Sequence, residues 1–424
     1  MHIVFFNRSY YPDRSATGQL LTDLCEDLVR TYGCRVSVVT GPPLSSADDV
    51  VVPASRFGLV TTQMHNGVTI WRAKGTRFAK RRFAGRAANY VSYFASACWA
   101  GLRVAKPDVV VALTDPPIIG LAAWMSSRRF GVPLVMAFND LFPEVAALLE
   151  DFHSDAINAA LQRVNQFLVR HAAVNVALGE TMRQRLIADK GAPADRTIII
   201  SNWADTSAIV PGRKPNAFST AHGLDGKFVV MHSGNLGLSQ SLETVVDAAA
   251  ALREIPEIRF VFQGEGVKKA DLEARVSMLG LTNVMFLPFQ DKASLSDSFA
   301  AADLFIVSLQ RGLAGYIVPS KLYGILAAGR AYVAAVEPAC EVAMLTSRHD
   351  CGALAEPGDA RSLAEAIEAL YRDPARLARC GVNARALGLT FDRRIQVAKY
   401  MDTFRSVARA VEAPSSARVE RRLR

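Results

Sequence analysis

Two short segments combine residue types suited to holding a phosphate. Ser233-Gly234-Asn235-Leu236-Gly237 directly follows the apolar run Phe228–His232 and precedes a helical pattern beginning near Leu242. Glycines just after a strand let the backbone approach an oxyanion, and free amides near a helix start attract phosphate. The same glycines serve equally well in a tight turn, and the segment alone leaves both readings open. It is not a G-x-G-x-x-G fingerprint, and no acidic residue is placed to mark a dinucleotide ribose. The second segment is Val318-Pro319-Ser320-Lys321, ahead of Leu322–Gly329. Pro319 and Ser320 suit a helix start and Gly329 its end. Lys321 then falls in the first turn, where the helix dipole disfavours a cation by roughly 0.3–1 kcal/mol. A bound phosphate would reverse that sign, and this reading outweighs a lysine reaching to water.

Other candidates sit in the same relation to apolar runs. Gly264-Glu265-Gly266 follows one in the second half of the chain and is weak by itself. In the first half, Tyr11–Gln19 lies beyond the first run, with Gly18 entering a helix. Thr114-Asp115-Pro116-Pro117 follows a later run, and Asn139-Asp140-Leu141-Phe142-Pro143-Glu144 follows the next. Asp140 is placed to face a cleft, and a helix cap or loop carboxylate is an equally open reading of it.

These residues need elements to hold them. Short β-branched runs without apolar/polar alternation predict strands buried on both faces, as in parallel sheets. In the first half they are Ile3–Phe6, Arg35–Thr40, Thr69–Arg72, Val109–Leu113, Leu134–Phe138, Val174–Ala177 and Thr197–Ile200. In the second they are Phe228–His232, Arg259–Gln263, Val284–Leu287, Leu304–Ser308, Tyr332–Ala335 and Ala353–Ala355. Helical patterns such as Gln19–Tyr32, Leu242–Ile255, Lys268–Leu279 and Asp359–Tyr371 lie between them. This alternation, twice over, predicts two doubly wound, Rossmann-like α/β domains facing a central cleft. The divisions fall at residues 1–205, 206–385, a helical segment at 386–411 that crosses back to the first domain, and a basic tail at 412–424.

A 424-residue chain that is 50% apolar and 21% charged fits two globular cores. Its six cysteines show no metal-ligand or redox spacing, as for free thiols in a reducing compartment. No metal site is expected. The start lacks the pattern of a signal peptide, and no apolar run reaches the ~18 residues of a membrane span. The expected location is therefore the cytoplasm, with peripheral contact at the inner membrane left open. The net charge is +9. Part of it is concentrated in Arg72, Lys74, Arg77, Lys80, Arg81, Arg82 and Arg86, interleaved with Phe78 and Phe83 and followed by Tyr90, Tyr93, Phe94 and Trp99. Contact of Arg72–Trp99 with an anionic membrane and a merely solvated helix face are equally open. Nucleic acid is disfavoured, since no binding motif for it is present.

With Tyr11-Pro12 and Gly18, Asp140–Glu144, Ser201-Asn202-Trp203-Ala204-Asp205, Ser233–Gly237, Gly264-Glu265-Gly266 and Pro319–Gly329, the chain resembles family 4 glycosyltransferases of the GT-B fold. The likeness is to bacterial enzymes of colanic acid, exopolysaccharide and O-antigen assembly, and it runs nearly the whole length of the chain. It implies retaining, metal-independent transfer from a nucleoside-diphosphate sugar to a lipid-linked or growing glycan, with no cofactor besides the donor. By position, the donor would meet Ser233, Gly234, Asn235, Gly237, Gly264, Ser320, Lys321 and Gly324. The acceptor would meet Gly18, Asn139 and Asp140, with Asp140 and Lys321 in catalytic roles. The chain departs from the family pattern at several points. Tyr316 and Gly324 stand where many relatives carry paired glutamates. Asn235 and Ser239 or Gln240 replace an arginine and a lysine, and Asn139 replaces a histidine. Two other readings are a degenerate sugar-nucleotide-binding partner subunit and a GT-B-type epimerase, for which no convincing acid/base pair is present.

Overall fold

Among the described residues, thirteen of the fourteen strands coincide with the runs read as strands from the sequence, several of them buried along their whole length. The computed structural model describes residues 1–43, 59–76, 83–149, 154–291 and 294–412. In the first half the strands are β1 (His2–Phe6), β2 (Arg35–Thr40), β3 (Val60–His65), β4 (Val68–Ala73), β5 (Val109–Ala112), β6 (Leu134–Ala137), β7 (Val174–Ala177) and β8 (Thr197–Ile199). They form one sheet in the order β3-β4-β2-β1-β5-β6-β7-β8, parallel except for β3. Every residue of β1, β5 and β6 is buried, which is why their sequences are continuous rather than alternating.

The second sheet contains β9 (Phe228–Ser233), β10 (Ile258–Gln263), β11 (Val284–Leu287), β12 (Leu304–Ser308), β13 (Ala331–Ala335) and β14 (Gly352–Ala355), in the order β11-β10-β9-β12-β13-β14. All of its pairs are parallel. Its core gathers Val230, Phe260, Phe262, Leu304 and Ile306 from the strands, with Val245, Val246, Leu363 and Ile367 from helices.

The chain thus comprises two doubly wound α/β units. One contains Met1–Ala147, Phe152–Ile200 and the segment from Val397; the other contains Leu148–Asp151 and Ser201–Gln396. The division at Ile200/Ser201 lies ahead of the 205/206 boundary read from sequence. Helix Pro374–Thr390 runs through residue 385 without a break. The last helix, Arg393–Glu412, contributes Phe404, stacked edge-on against Phe5 at 6.0 Å, and Met401, whose Sδ is 3.7 Å from Cys34 Sγ. The basic tail from residue 413 lies outside the described residues. Among those described, no helix is long and apolar enough to cross a membrane, and no group of three metal-ligating side chains occurs.

Candidate functional site

In each sheet one strand is flanked by neighbours wound in opposite directions. At such a reversal the loops diverge and leave a crevice past the carboxyl ends of the strands. The reversals lie between β1 and β5 in the first sheet and between β9 and β12 in the second.

In the second unit, β9 ends in His232 and Ser233 and turns at Gly234, whose φ of +128° favours glycine. The turn after β10 packs directly against this one. Gly234 N donates to Gln263 O at 2.9 Å, and Leu236 N donates to Glu265 O at 2.9 Å. A Cβ on Gly264 or Gly266 would collide with the backbone of Gly234 or Leu236. These two glycines are therefore accounted for by backbone-to-backbone packing that shapes the Gly234 turn. Gln263 Nε2 donates to Ser233 Oγ at 3.2 Å, tying the two strand ends together.

Lys321 opens the helix Lys321–Ala327, preceded by Ser320, whose side chain makes no capping bond. The lysine folds back over the glycine turn, with its Cε 3.8 Å from the position a Gly234 Cβ would take. Its Nζ lies 3.0 Å from His232 Nε2 and 3.1 Å from Gln240 Oε1. Burial pulls the Lys321 pKa down to about 7. Burial, reinforced by Lys321, holds His232 well below its ordinary value, so its ring is neutral and accepts from the ammonium. Among the described residues no carboxylate pairs with Lys321. An ammonium held only by neutral acceptors is the complement of an anion. Gly234, Asn235, Ser320 and Lys321 are thus gathered at one place.

Gly324 is not gathered with them by any contact described. A Cβ there would meet the Phe299 ring at 3.0 Å and Ile209 at 3.9 Å, so the glycine admits close packing of its helix. Replacing Gly234 with Val tests the turn, since Val strains a φ of +128° and crowds Lys321. If this turn holds the diphosphate that the family resemblance implies, nucleoside-diphosphate affinity should fall at least about tenfold, roughly 1.4 kcal/mol, by calorimetry. Unchanged affinity would move the site elsewhere.

In the first unit, Asn7, Arg8 and Ser9 follow β1, and Asp115 follows β5. Arg8 Nε donates to Asp115 Oδ1 at 3.2 Å, and Ser9 Oγ donates to Asp115 Oδ2 at 2.9 Å. The Arg8 guanidinium lies 5.5 Å from the Tyr90 ring centre. Asp140 follows β6, and its amide donates weakly to Thr114 Oγ1 at 3.5 Å. Burial first, and the neighbouring Asp115 second, push its pKa up to about 6. Asp140 is not a helix cap. The next helix begins only at Glu144, and its entry is closed by Val145 N donating to Leu141 O at 3.1 Å. Asn139 lies beside it, partly buried. Gly18 donates its amide to Ser15 Oγ at 3.2 Å, capping the helix Ala16–Tyr32, so that amide is already occupied.

Sequence reasoning offered Asp115 within a candidate loop and Gln240 only as a departure from the family pattern; it did not single out Arg8, Ser9 or His232 as site residues. These three lie at or just after the ends of β1 or β9, but only the strand order reveals that these strands flank a reversal. The basic and aromatic run also needs correction. Arg72 is buried, donating to Gly41 O at 3.2 Å and to Tyr11 O, because β4 carries it into the unit. Tyr93 is buried as well. Arg77, Phe78, Lys80, Arg81 and Arg82 lie outside the described residues, as do the side chains of Phe83 and Arg86. Helix Phe83–Arg103 instead exposes Tyr90, Val91, Trp99 and Leu102, with Arg103 stacked over Trp99 at 3.6 Å.

Residues 16–203 match the glycosyl transferase 4-like domain, and residues 216–387 match glycosyl transferases group 1. The chain is 26% identical over 356 residues to WcaI of Escherichia coli K12, assigned as a glycosyl transferase of colanic acid biosynthesis, covering 81% of this chain and 86% of WcaI. It is 28% identical over 276 residues to the Pseudomonas aeruginosa glycosyltransferase WbjE, covering 63% and 66% respectively. Among solved structures, Anabaena HepE with UDP and glucose superposes with a TM-score of 0.72 at 19% identity, covering 96% of this chain and all of HepE. WaaG, a glycosyltransferase of lipopolysaccharide biosynthesis, superposes with a TM-score of 0.70 at 17% identity, covering 95% and 99%.

Proposed function

Because the chain belongs to the glycosyltransferases of the GT-B fold, similar to those of colanic acid and exopolysaccharide assembly, we propose that it moves a sugar from a nucleoside-diphosphate donor to a glycan acceptor of the bacterial surface. The observation that carries this is Lys321, a buried lysine with no carboxylate partner among the described residues, folded over the Gly234 turn. In the proposed reaction the donor diphosphate lies against that turn and Lys321. The bond from the anomeric carbon to the diphosphate oxygen breaks, and the acceptor oxygen bonds to that carbon from the same face. The acceptor proton passes to the departing diphosphate. Charge grows on the leaving group, so a fixed cation beside it lowers the barrier more than it lowers the ground state. Asp140 orients the acceptor hydroxyl. No metal and no cofactor besides the donor take part in this scheme; retention and independence of metal rest on the family resemblance.

The test is incubation with a panel of nucleotide sugars and a membrane extract, in the presence of a chelator. Nucleoside diphosphate released only when acceptor is present, with the donor's anomeric configuration kept in the product by NMR, supports the reading. Donor binding without release in any combination favours the degenerate partner subunit, a reading that Gly324 packed on Phe299 keeps in view.

A lipid-linked acceptor places the enzyme at a membrane, and the exposed Tyr90, Val91, Trp99 and Leu102 beside Arg103 offer a surface for one. Flotation with anionic liposomes should carry the protein upward. Val91→Gln with Trp99→Gln should reduce the floated fraction at least about threefold, since each buried apolar side chain contributes roughly 1.5–3 kcal/mol. Equal flotation of the variant would leave this helix as an ordinary solvated face.

A further inference from the structure

Lys190 is a buried cation that the proposed reaction does not use. It ends the helix Glu180–Lys190 and is 1% exposed. Its Nζ donates to Phe142 O at 2.8 Å, to both carboxylate oxygens of Glu144 at 2.7 Å, and to Gln162 Oε1. Asn165 Nδ2 donates to the same Phe142 carbonyl at 2.6 Å. Gln162 is itself tied down, donating to Asp189 O at 2.9 Å. The segment Leu141–Glu144 is therefore fixed at its buried Leu141, at the Phe142 carbonyl and at the Glu144 carboxylate. Asp140 stands directly before it.

Ion pairs of this kind are an unreliable source of stability, because desolvation offsets the attraction, but they fix geometry well. There is a specific force here for them to oppose. Asp140 is partly buried, and its amide lies at Thr114 Oγ1, next in the chain to Asp115, whose carboxylate Arg8 and Ser9 hold in place; burial and that neighbouring charge both disfavour an ionised Asp140 there. A loop free to move would relieve both by swinging Asp140 outward. We propose that Lys190, with Asn165, is a positioning residue that pins the Phe142–Glu144 segment and so holds Asp140 against Asp115 in its acceptor-facing place. The inference rests on the reading of Asp140 as the acceptor-side carboxylate.

The test is a double-mutant cycle on the full-length protein with its sugar-nucleotide donor and acceptor. Lys190→Met keeps the length of the side chain and removes the ammonium, while Glu144 is exposed enough to rehydrate. The expected result is a fall in kcat of at least about tenfold, with donor KM within about twofold of the starting protein. The same substitution in an Asp140→Asn background should cost less than about twofold, because residues acting through one group are not additive. Lys190→Met with Glu144→Gln removes the unpaired carboxylate. It should recover melting temperature without recovering kcat. A kcat for Lys190→Met within about twofold of the starting protein overturns the proposal, as does an equal loss in both backgrounds, which marks mere destabilisation. Near-normal turnover of Asp140→Asn alone overturns the underlying reading and this inference with it. An inactive Asp140→Asn beside a normal Lys190→Met removes only the pin.

Discussion

Asp140→Asn should lower turnover at least about a hundredfold at pH 7.5, the loss typical of a positioned acid/base group, while leaving donor affinity unchanged. The variant should melt no lower than the starting protein at that pH. The sign follows from the raised pKa. Between the ordinary carboxylate value of 3.8 and about 6, the folded protein holds a proton at Asp140 that the unfolded chain has lost. Stability therefore falls as pH rises through that window, and above about 6 the ionised Asp140 is a standing cost. Asn is nearly isosteric and carries no charge, so it relieves that cost. A capping carboxylate would behave oppositely, losing about 1 kcal/mol of stability with little change in turnover. The rate of the starting protein should also climb as pH passes about 6 and Asp140 ionises, a limb absent from the variant. Near-normal turnover, or a lowered melting temperature with full activity, would return Asp140 to a structural role.

The architecture was legible because buried parallel strands leave a strong mark. Val109–Ala112 is apolar at every position and Leu304–Ser308 at all but its last, and their ends fall within a residue or two of the sequence reading. The strand missed was β3, Val60–His65. It is an antiparallel edge strand with an alternating, half-exposed pattern. Its signal was nevertheless present in Asn66-Gly67, where φ values of 45° and 80° close a two-residue hairpin onto β4. The glycine turn and Lys321 were legible for a different reason, since a glycine after a strand and a lysine in a first helical turn are each locally costly. Their partners were not. His232 reads as one more residue of an apolar run, and Gln240 as loop. Only folding brings them to Lys321 from far along the chain. Arg72 failed in the opposite sense. A cation within a basic run looks solvent-facing, yet β4 turns it inward to satisfy the carbonyls of Gly41 and Tyr11.

Lys321 also predicts how donor binding depends on pH. Its pKa is drawn down from 10.5 to about 7 by burial. Below about 7 the ammonium is charged in both the folded and unfolded states, and the folded protein bears the full cost of burying it. Between about 7 and 10.5 the unfolded chain keeps a proton that the folded protein has released, so stability rises with pH across that window. A diphosphate reverses the balance locally. It favours the ammonium, raises the lysine pKa, and so takes up a proton on binding whenever the pH exceeds about 7. Nucleoside-diphosphate affinity should therefore weaken as pH rises from 7.5 to 9, by up to about tenfold per pH unit. Calorimetry in buffers of different ionisation enthalpy should show proton uptake approaching one per site. Lys321→Gln retains a polar side chain near His232 and Gln240 but cannot be charged. It should abolish this pH slope and lower turnover about a hundredfold, the scale on which a single fixed donor stabilises a growing anion. His232 does not mimic the effect, because its pKa is held well below 6.5 and its ring stays neutral throughout this range. A pH slope that survives Lys321→Gln would assign the titration to another group. Unchanged turnover in that variant would leave Lys321 as a buried partner of His232, without a part in the transfer.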